Sequence, residues 1–387
     1  MPRDREDQIG SPDSAWPGRG SGRRTRLKKN RVVSIELLRI LSMMMVVMLH
    51  YLSKGELLTP LTEEFGPGAY IAWLLEAFSI VAVNVYMLIS GYFLVETGFK
   101  PGRLARLICQ VLFYSILIPP VLLAAGILDP GELSVYRLLQ YLLPNQMIHY
   151  WFITAYVIMY LLSPVLAAGA RQLSQKQLGL TIILLLCFFS VSKSLLPVKL
   201  EIDNAGYDGL WFVCVFLVAA YMRLYGIPFL QKGKRAALCY LGGCVLIYGL
   251  TLGVRMVYLK TGRLGHFIHA PYDYNHILNL FAAISLFYAF SDWKLSGEKF
   301  MGRVILRVAP YTLGVYLLHE HIELRSLWPF WLGAASEYSP WALAPRAVGS
   351  VTLVFAVGIL VDMARGALFD TAGKILGRWR GKLRRNP

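Results

Sequence analysis

Arg39 and His50 lie eleven residues apart in the first long apolar segment of the chain. A helix advances about 100° per residue, so eleven steps bring a side chain back to nearly the same face, about 16 Å further along the axis. Glu36 stands three residues before Arg39, a spacing that permits an ion pair within the helix. Ionisable side chains are costly in hydrocarbon and usually face a protein interior or a wet cavity. We therefore expect this face to carry function, although an arginine anchor and an interfacial histidine that both extend to water would show the same spacing.

The elements that must position these residues are predicted to be membrane-spanning helices. The chain is 56% hydrophobic and only 16% charged, and apolar runs long enough to cross a bilayer recur along it. This composition predicts an all-α polytopic membrane protein, a bundle of about ten transmembrane helices. The predicted spans are 33–52, 70–95, 104–127, 148–170, 178–196, 209–226, 236–259, 273–292, 304–324 and 342–364.

The distribution of charge predicts the orientation of these spans. The formal net charge is +16, and the lysines and arginines concentrate in the two tails and in alternate short loops. This pattern places both termini in the cytoplasm. It also argues against a nucleic-acid partner, because no soluble basic domain is present to bind one. We predict a disordered basic cytoplasmic tail over residues 1–31, a transmembrane domain over 32–366 and a basic cytoplasmic tail over 367–387.

Other polar residues within the apolar segments are candidates for the same site. Arg103 and Arg106 lie one helical turn apart at the predicted cytoplasmic mouth and could bind the phosphates of a nucleotide-like donor, or serve only as orientation charges. Further candidates to line a pore are Asn84, Ser90, Tyr92, His149, Trp151, Tyr316 and His319. Small polar residues also serve helix packing, and aromatic residues also form interfacial belts.

Metal and disulfide chemistry find little support in the sequence. His50, His149 and His319 approach the same predicted side, but no carboxylate or cysteine spacing completes a metal site. The five cysteines all fall within apolar spans and are expected to be small buried hydrophobic residues. We expect no metal.

Taken in order, these motifs resemble the integral membrane acyltransferases of type 3, bacterial enzymes that O-acylate surface polysaccharides and peptidoglycan. The resemblance rests on Arg39–x10–His50 with its preceding acid, the segment from Asn84 to Leu94, Arg103-Leu-Ala-Arg106, Trp151-Phe-Ile-Thr-Ala-Tyr with Leu-Leu-Ser-Pro164, and Leu313-Gly-Val-Tyr-Leu-Leu-His319. It spans residues 33–364. The preceding acid is Glu36, where the family commonly has aspartate, and this difference keeps the charge.

The resemblance implies transfer of an acyl group, acetyl by default and succinyl as a variant, from cytoplasmic acyl-CoA to a hydroxyl of an envelope glycan across the bacterial cytoplasmic membrane. His50 would be the general base or a transient acyl carrier, and Arg39, held by Glu36, would face the pantetheine or the thioester carbonyl of the donor. Arg103 and Arg106 would bind coenzyme A phosphates. Some relatives carry a fused extracytoplasmic domain, whereas this chain ends at Pro387, so we expect either direct transfer or a separate extracytoplasmic partner protein.

A transporter or flippase of a lipid-linked sugar is the alternative function. Such proteins often have internal repeats and helices broken near the midplane. Pro119-Pro120 is a candidate break in the third span, but the second half of the sequence shows no matching pair. A membrane-bound sensing or polymerase component that uses the same pocket without acyl transfer is a further alternative.

Overall fold

The apolar segments fold into helices, as expected for a backbone that must satisfy its hydrogen bonds without water. The computed structural model describes residues 31–147, 149–197, 204–336 and 339–383, with side chains through residue 375. In these ranges the chain forms helices and turns and no strand. The α-helices are α1 Val33–Lys54, α2 Pro67–Ser79, α3 Ala82–Thr97, α4 Pro101–Ala124, α5 Val135–Leu142, α6 Trp151–Gln172, α7 Gln175–Leu186, α8 Ser192–Leu195, α9 Gly209–Leu224, α10 Gly233–Thr261, α11 Ile277–Ser291, α12 Phe300–Val308, α13 Thr312–His319, α14 Trp328–Trp331 and α15 Leu343–Leu383.

Seven helical segments of the described chain are long and apolar enough to cross a membrane, which makes this a polytopic helical membrane protein. They are Val33–Lys54, Pro67–Thr97, Pro101–Ala124, Trp151–Gln172, Gln175–Leu195, Gly233–Thr261 and Pro340–Ile375. Three of the ten predicted spans are not among them. Two of these correspond to the shorter helices α9 and α11, and the predicted span 304–324 corresponds to α12 and α13.

The break between α12 and α13 is the main local departure from the predicted spans. A 3₁₀ turn at Ala309–Tyr311 joins the two helices, and α13 ends at His319. Pro310 lies inside this turn, and proline disrupts a continuous helix by removing a backbone donor. By contrast, α4 continues through Pro119 and Pro120, where the sequence suggested a break.

Helix α1 lies between two hydrophobic cores. One core gathers around α3, α9, α10 and α11, and the other around α4, α13 and α15, while α1 contributes buried residues to both. Gly91 of α3 lets α3 and α9 approach closely, because a Cβ at this position would lie 2.8 Å from Cβ of Ala219. The helix that carries Arg39 and His50 is therefore fixed by packing on both sides.

The two predicted tails fall at the limits of the described chain. Residues 1–30 lie outside the described residues, so the predicted disordered tail is not described by the structure. At the other end, α15 continues without interruption from Leu343 to Leu383, past residue 366 where the transmembrane domain was predicted to end.

Candidate functional site

A cavity of about 410 Å³ runs along the face of α1 that carries Arg39 and His50. Six of the residues selected from the sequence line it: Arg39, His50, Ser90, Arg103, Trp151 and Tyr316. Its other polar or aromatic lining residues include Tyr86, Phe93, Thr97, Phe152, Tyr156, Tyr160, Tyr274 and Thr312. The cofacial geometry predicted for Arg39 and His50 thus corresponds to one continuous space.

At one end of the cavity, Arg39 is held in place by contacts from its own helix and from α3. Its guanidinium forms an ion pair with Glu36, and the Tyr86 hydroxyl donates a hydrogen bond of 2.9 Å to the Arg39 carbonyl oxygen. Arg103 lies at the same end through its contact with Thr97, with 3.4 Å between Nη1 and Oγ1. We call this region the Arg39 end. It presents two permanent cations to the cavity.

At the other end, His50 belongs to an open cluster of three residues, His50, His319 and Glu320. His50 Nδ1 lies 2.9 Å from His319 Nε2, and His319 Nδ1 lies 2.6 Å from the Val315 carbonyl oxygen. A carbonyl can only accept, so Nδ1 of His319 carries the proton and its Nε2 accepts from Nδ1 of His50. The neutral His50 ring therefore has its lone pair on Nε2. We find no protein partner for this atom in the described part of the chain.

Glu320 supplies negative charge beside His50. Its Oε2 lies 3.2 Å from His50 Nδ1, and its Oε1 lies 3.6 Å from Arg325 Nη1. The Glu320 side chain is only 5% exposed, so its charge is weakly screened by solvent. A carboxylate at this distance would stabilise an imidazolium on His50.

Tyr316 contributes a hydroxyl to the same end of the cavity. Its ring lies 6.4 Å from the His50 ring, and among the described residues its buried hydroxyl has no hydrogen-bond partner. A buried donor without an acceptor is costly, so such groups often mark a position where a ligand atom binds. The Tyr316 hydroxyl is therefore free to donate to a molecule bound in the cavity.

His149 lies in a second, closed cluster with Ser115 and His321. His149 Nε2 accepts a hydrogen bond of 3.1 Å from the Ile322 backbone N–H, so its protonated Nδ1 faces the Ser115 hydroxyl at 3.3 Å. His321 Nδ1 accepts from the Glu323 N–H at 3.2 Å, and its Nε2 faces the Ser115 carbonyl at 3.5 Å. Every ring nitrogen of the closed cluster has a protein partner, and none of the three residues lines the cavity.

Three more of the predicted residues lie away from the cavity lining. Asn84 is fully buried and bonds to Trp211 Nε1, the Tyr274 carbonyl and Asn279. The Tyr92 hydroxyl accepts a hydrogen bond of 3.3 Å from Arg223, and its ring packs on Phe287. Arg106 is exposed, one turn beyond Arg103. The structure thus separates Arg103 from Arg106, and it makes Asn84 a packing residue behind the cavity wall.

Sequence reasoning did not select Glu320 or Tyr274. Glu320 lies between two histidines, at the end of α13, and only the end of the helix at His319 turns it back toward His50. Tyr274 lies in the loop before α11 and reaches the cavity through tertiary packing. The position of Glu320 next to His319 could have identified it as a site residue. The sequence around Tyr274 contains no local signal of this kind.

Comparison with known proteins identifies the family of this chain. The family model of an acyltransferase domain, type 3, matches residues 32–363, which include the whole cavity lining. No curated protein and no solved structure matches the chain. Because the family model covers most of its length, the chain belongs to the type 3 acyltransferase family.

Proposed function

We propose that this protein is an O-acyltransferase that moves an acyl group, acetyl in the simplest case, from cytoplasmic acyl-CoA to a hydroxyl of an envelope glycan. The observation that supports this proposal is one cavity with Arg39 and Arg103 at one end and the free nitrogen of His50 at the other. Family membership supplies the class of reaction. The donor, the acyl group and the glycan are our inference.

The proposed orientation rests on charge. Ten spans with both termini in the cytoplasm place the basic loops inside, in accord with the positive-inside rule. The Arg39 end then faces the cytoplasm and the His50 end faces the cell exterior. The seven longest apolar helices are accommodated by this topology, with α9, α11 and the α12–α13 pair as the three remaining spans. We assign the protein to the bacterial cytoplasmic membrane.

The donor would enter from the Arg39 end. Arginine binds phosphate oxygens through two parallel donors, so Arg103 at the mouth is suited to the phosphates of coenzyme A. Arg106 would act from outside the cavity, as part of the positive surface around the mouth. The pantetheine arm would then extend along the mostly apolar cavity, past Arg39, for the roughly 16 Å that separate Arg39 from His50 along α1. This places the thioester beside His50.

The reaction follows from the protonation of the open cluster. His50 Nε2 takes the proton of the acceptor hydroxyl as its oxygen attacks the thioester carbonyl, and the charge of the resulting imidazolium is balanced by Glu320. The Tyr316 hydroxyl donates to the carbonyl oxygen as negative charge develops there. The C–S bond then breaks, and the coenzyme A thiolate leaves and takes the proton from His50. In the alternative sequence, Nε2 attacks the thioester first, the C–S bond breaks and the coenzyme A thiolate leaves. The acceptor hydroxyl then attacks the acyl group, the bond to Nε2 breaks, and the hydroxyl proton passes to the thiolate.

Acyl-CoA turnover by the purified protein tests this proposal. In lipid nanodiscs with acetyl-CoA and isolated envelope glycan, we expect release of free thiol that disappears in His50→Ala and in Arg39→Ala. Arg103→Ala should raise the KM for acetyl-CoA about tenfold through loss of a charged contact, while the matched control Arg106→Ala should change it less. Unchanged turnover in His50→Ala would overturn the site assignment. A flippase of a lipid-linked sugar would release no thiol at all.

Mass spectrometry of the envelope glycan would identify the product. A glycan from cells that contain the protein should be heavier by one acyl unit than that from cells that lack it. The mass of that unit identifies the acyl group, and fragmentation locates the acylated hydroxyl. Identical glycan masses in the two strains would contradict a glycan acceptor.

A further inference from the structure

Three aromatic rings from separate elements meet at the His50 end of the cavity. Trp151 begins α6, Tyr207 lies just before α9, and Tyr274 lies before α11. The centroid of the Tyr207 ring lies 4.5 Å from that of Trp151 and 4.5 Å from that of Tyr274, while Trp151 and Tyr274 stack at 5.8 Å with 22° between planes. We call these residues the aromatic trio.

The aromatic trio joins the cavity to the protein surface. Trp151 and Tyr274 line the cavity together with His50, and Tyr207 is 40% exposed. Tryptophans that merely anchor a protein at the membrane interface are expected to project outward, as Trp341 does with 80% exposure. Trp151 is instead half-buried against two other rings. Its position is that of a cavity wall.

The backbone before Tyr207 is strained where it packs on Tyr274. Ala205 has φ +55° and Gly206 has φ +81°, and a Cβ on Gly206 would lie 2.8 Å from both the Asn275 nitrogen and Cβ of Tyr274. The Ala205 carbonyl accepts a hydrogen bond of 3.0 Å from the Tyr274 N–H. A left-handed alanine costs conformational energy and persists only where the surroundings impose it. The two loops are therefore locked together with their rings in contact.

Lys193 and Asp273 form an ion pair beside the aromatic trio, with 3.1 Å between Lys193 Nζ and the Asp273 carboxylate. A π-helical turn at Cys187–Val191 precedes Lys193 in the chain. Asn275 donates from Nδ2 to the Phe189 carbonyl in this π-helical turn, at 3.0 Å. Turns of this kind often occur at functional sites. Ammonium and carboxylate groups beside an aromatic surface are suited to the hydroxyls at the edge of a sugar ring.

We propose that the aromatic trio is a sugar-binding subsite on which a pyranose ring of the acceptor stacks, with its hydroxyls toward Lys193 and Asp273. The negative face of an aromatic ring attracts the polarised C–H groups on the apolar face of a pyranose. Stacking beside His50 would bring a ring hydroxyl to Nε2. This inference rests on the proposed function for its acceptor, but sugar binding can be measured without acyl-CoA.

Saturation-transfer NMR on the full chain in nanodiscs tests the subsite. The probes are maltotetraose and chitotetraose, which contain pyranose rings, and sorbitol, an acyclic polyol. Irradiation of the aromatic protons should transfer saturation to the C–H protons of at least one oligosaccharide and not to those of sorbitol. Tyr207→Leu should weaken this signal about three- to tenfold, the loss expected for one aromatic contact, and Tyr207→Trp should retain it.

Tyr136→Leu is the matched control, because Tyr136 is 63% exposed and lies in α5, outside the aromatic trio. It should leave the signal unchanged. Equal signals for sorbitol, no signal from either oligosaccharide, or an unaltered signal in Tyr207→Leu would overturn the subsite. If saturation depends on Tyr207 but no His50-dependent thiol release occurs, the proposed function fails and the subsite remains. If His50-dependent thiol release occurs but no saturation is transferred, the subsite fails and the proposed function remains.

Discussion

The open and closed clusters contain similar side chains but differ in whether a histidine nitrogen remains free. His50 in the open cluster is 16% exposed, and the other five residues of the two clusters are buried. Both clusters contain two histidines and draw on one short turn, from which His319 and Glu320 face the open cluster and His321 faces the closed one. In the closed cluster, backbone and hydroxyl groups occupy all four ring nitrogens. In the open cluster, one nitrogen of His50 is left to the cavity.

A backbone N–H can only donate and a carbonyl can only accept, so these groups determine which histidine nitrogen keeps a free lone pair and can act as a base. The Ile322 N–H uses the lone pair of His149 on Nε2, so Ser115 faces a protonated nitrogen that cannot take its proton. Ser115 and His149 therefore resemble a nucleophile and its base in composition only. In the open cluster the Val315 carbonyl accepts from His319 Nδ1, and His319 Nε2 in turn accepts from His50 Nδ1. The lone pair of His50 is therefore on Nε2, which is free within the described part of the chain.

The largest expected effect is the contrast between His50→Ala and His149→Ala. Loss of a general base lowers rates by about 10²–10⁴-fold, so thiol release from acetyl-CoA should fall in this range for His50→Ala. His149→Ala removes hydrogen bonds to Ser115 and Ile322 and should chiefly lower the thermal unfolding midpoint. Rates are compared per folded protein, measured by size-exclusion chromatography. Comparable rate losses in both variants would show that the closed cluster is not merely structural.

The next contrast is between Glu320→Gln and Glu323→Gln. An interaction with a charged group contributes about 1.5–3 kcal/mol, so loss of the Glu320 charge beside His50 should slow thiol release about ten- to hundredfold. Glu323 instead accepts from Tyr141 at 2.5 Å and pairs with Arg137 at 3.0 Å. Burial and this carboxylate raise the pKa of Tyr141, which therefore remains a donor. Glu323→Gln should lower stability and leave the rate per folded protein nearly unchanged, because Glu323 contacts Tyr141 and Arg137 and not His50.

Much of this comparison could be predicted from the sequence, and the rest depends on tertiary contacts. Helical periodicity is enough to place Arg39 and His50 on one face, because eleven residues make about three turns. It cannot show that Tyr92 packs on Phe287 or that Asn84 bonds to Trp211, since a polar residue in a span serves packing and pores equally.

The assignment of His149 illustrates the same limit. The sequence places His149 and His319 on the same side of the membrane, but it does not show which ring nitrogens are already occupied. The partner that fixes the proton of His149 is the Ile322 N–H in the turn after α13. That turn exists because α13 ends at His319 instead of continuing through residue 324 as predicted. The role of a buried histidine thus depends on where a different helix ends.

A smaller effect is expected at His319, where shape and hydrogen bonding can be separated. His319→Gln keeps an acceptor that can reach His50 Nδ1, whereas His319→Leu leaves that donor without its main acceptor. A neutral hydrogen bond contributes about 0.5–1.5 kcal/mol, so His319→Leu should slow thiol release about two- to tenfold and His319→Gln should slow it less. Equal losses in the two variants would show that the volume of the ring, and not its acceptor, fixes His50.

The smallest effect on rate is expected for Ser115→Ala, which decides whether the closed cluster has any chemical role. If Ser115 were a nucleophile activated by His149, alanine would abolish transfer. Because His149 Nδ1 donates to the Ser115 hydroxyl and cannot also accept its proton, we expect an unchanged rate of thiol release and a loss of about 1 kcal/mol of stability, the contribution of one hydrogen bond. Ser90→Ala is the matched control. Because Ser90 lines the cavity, its loss should lower the rate of thiol release more than it lowers stability. A rate loss confined to Ser115→Ala would reverse the proton assignment of His149 and, with it, the distinction between the two clusters.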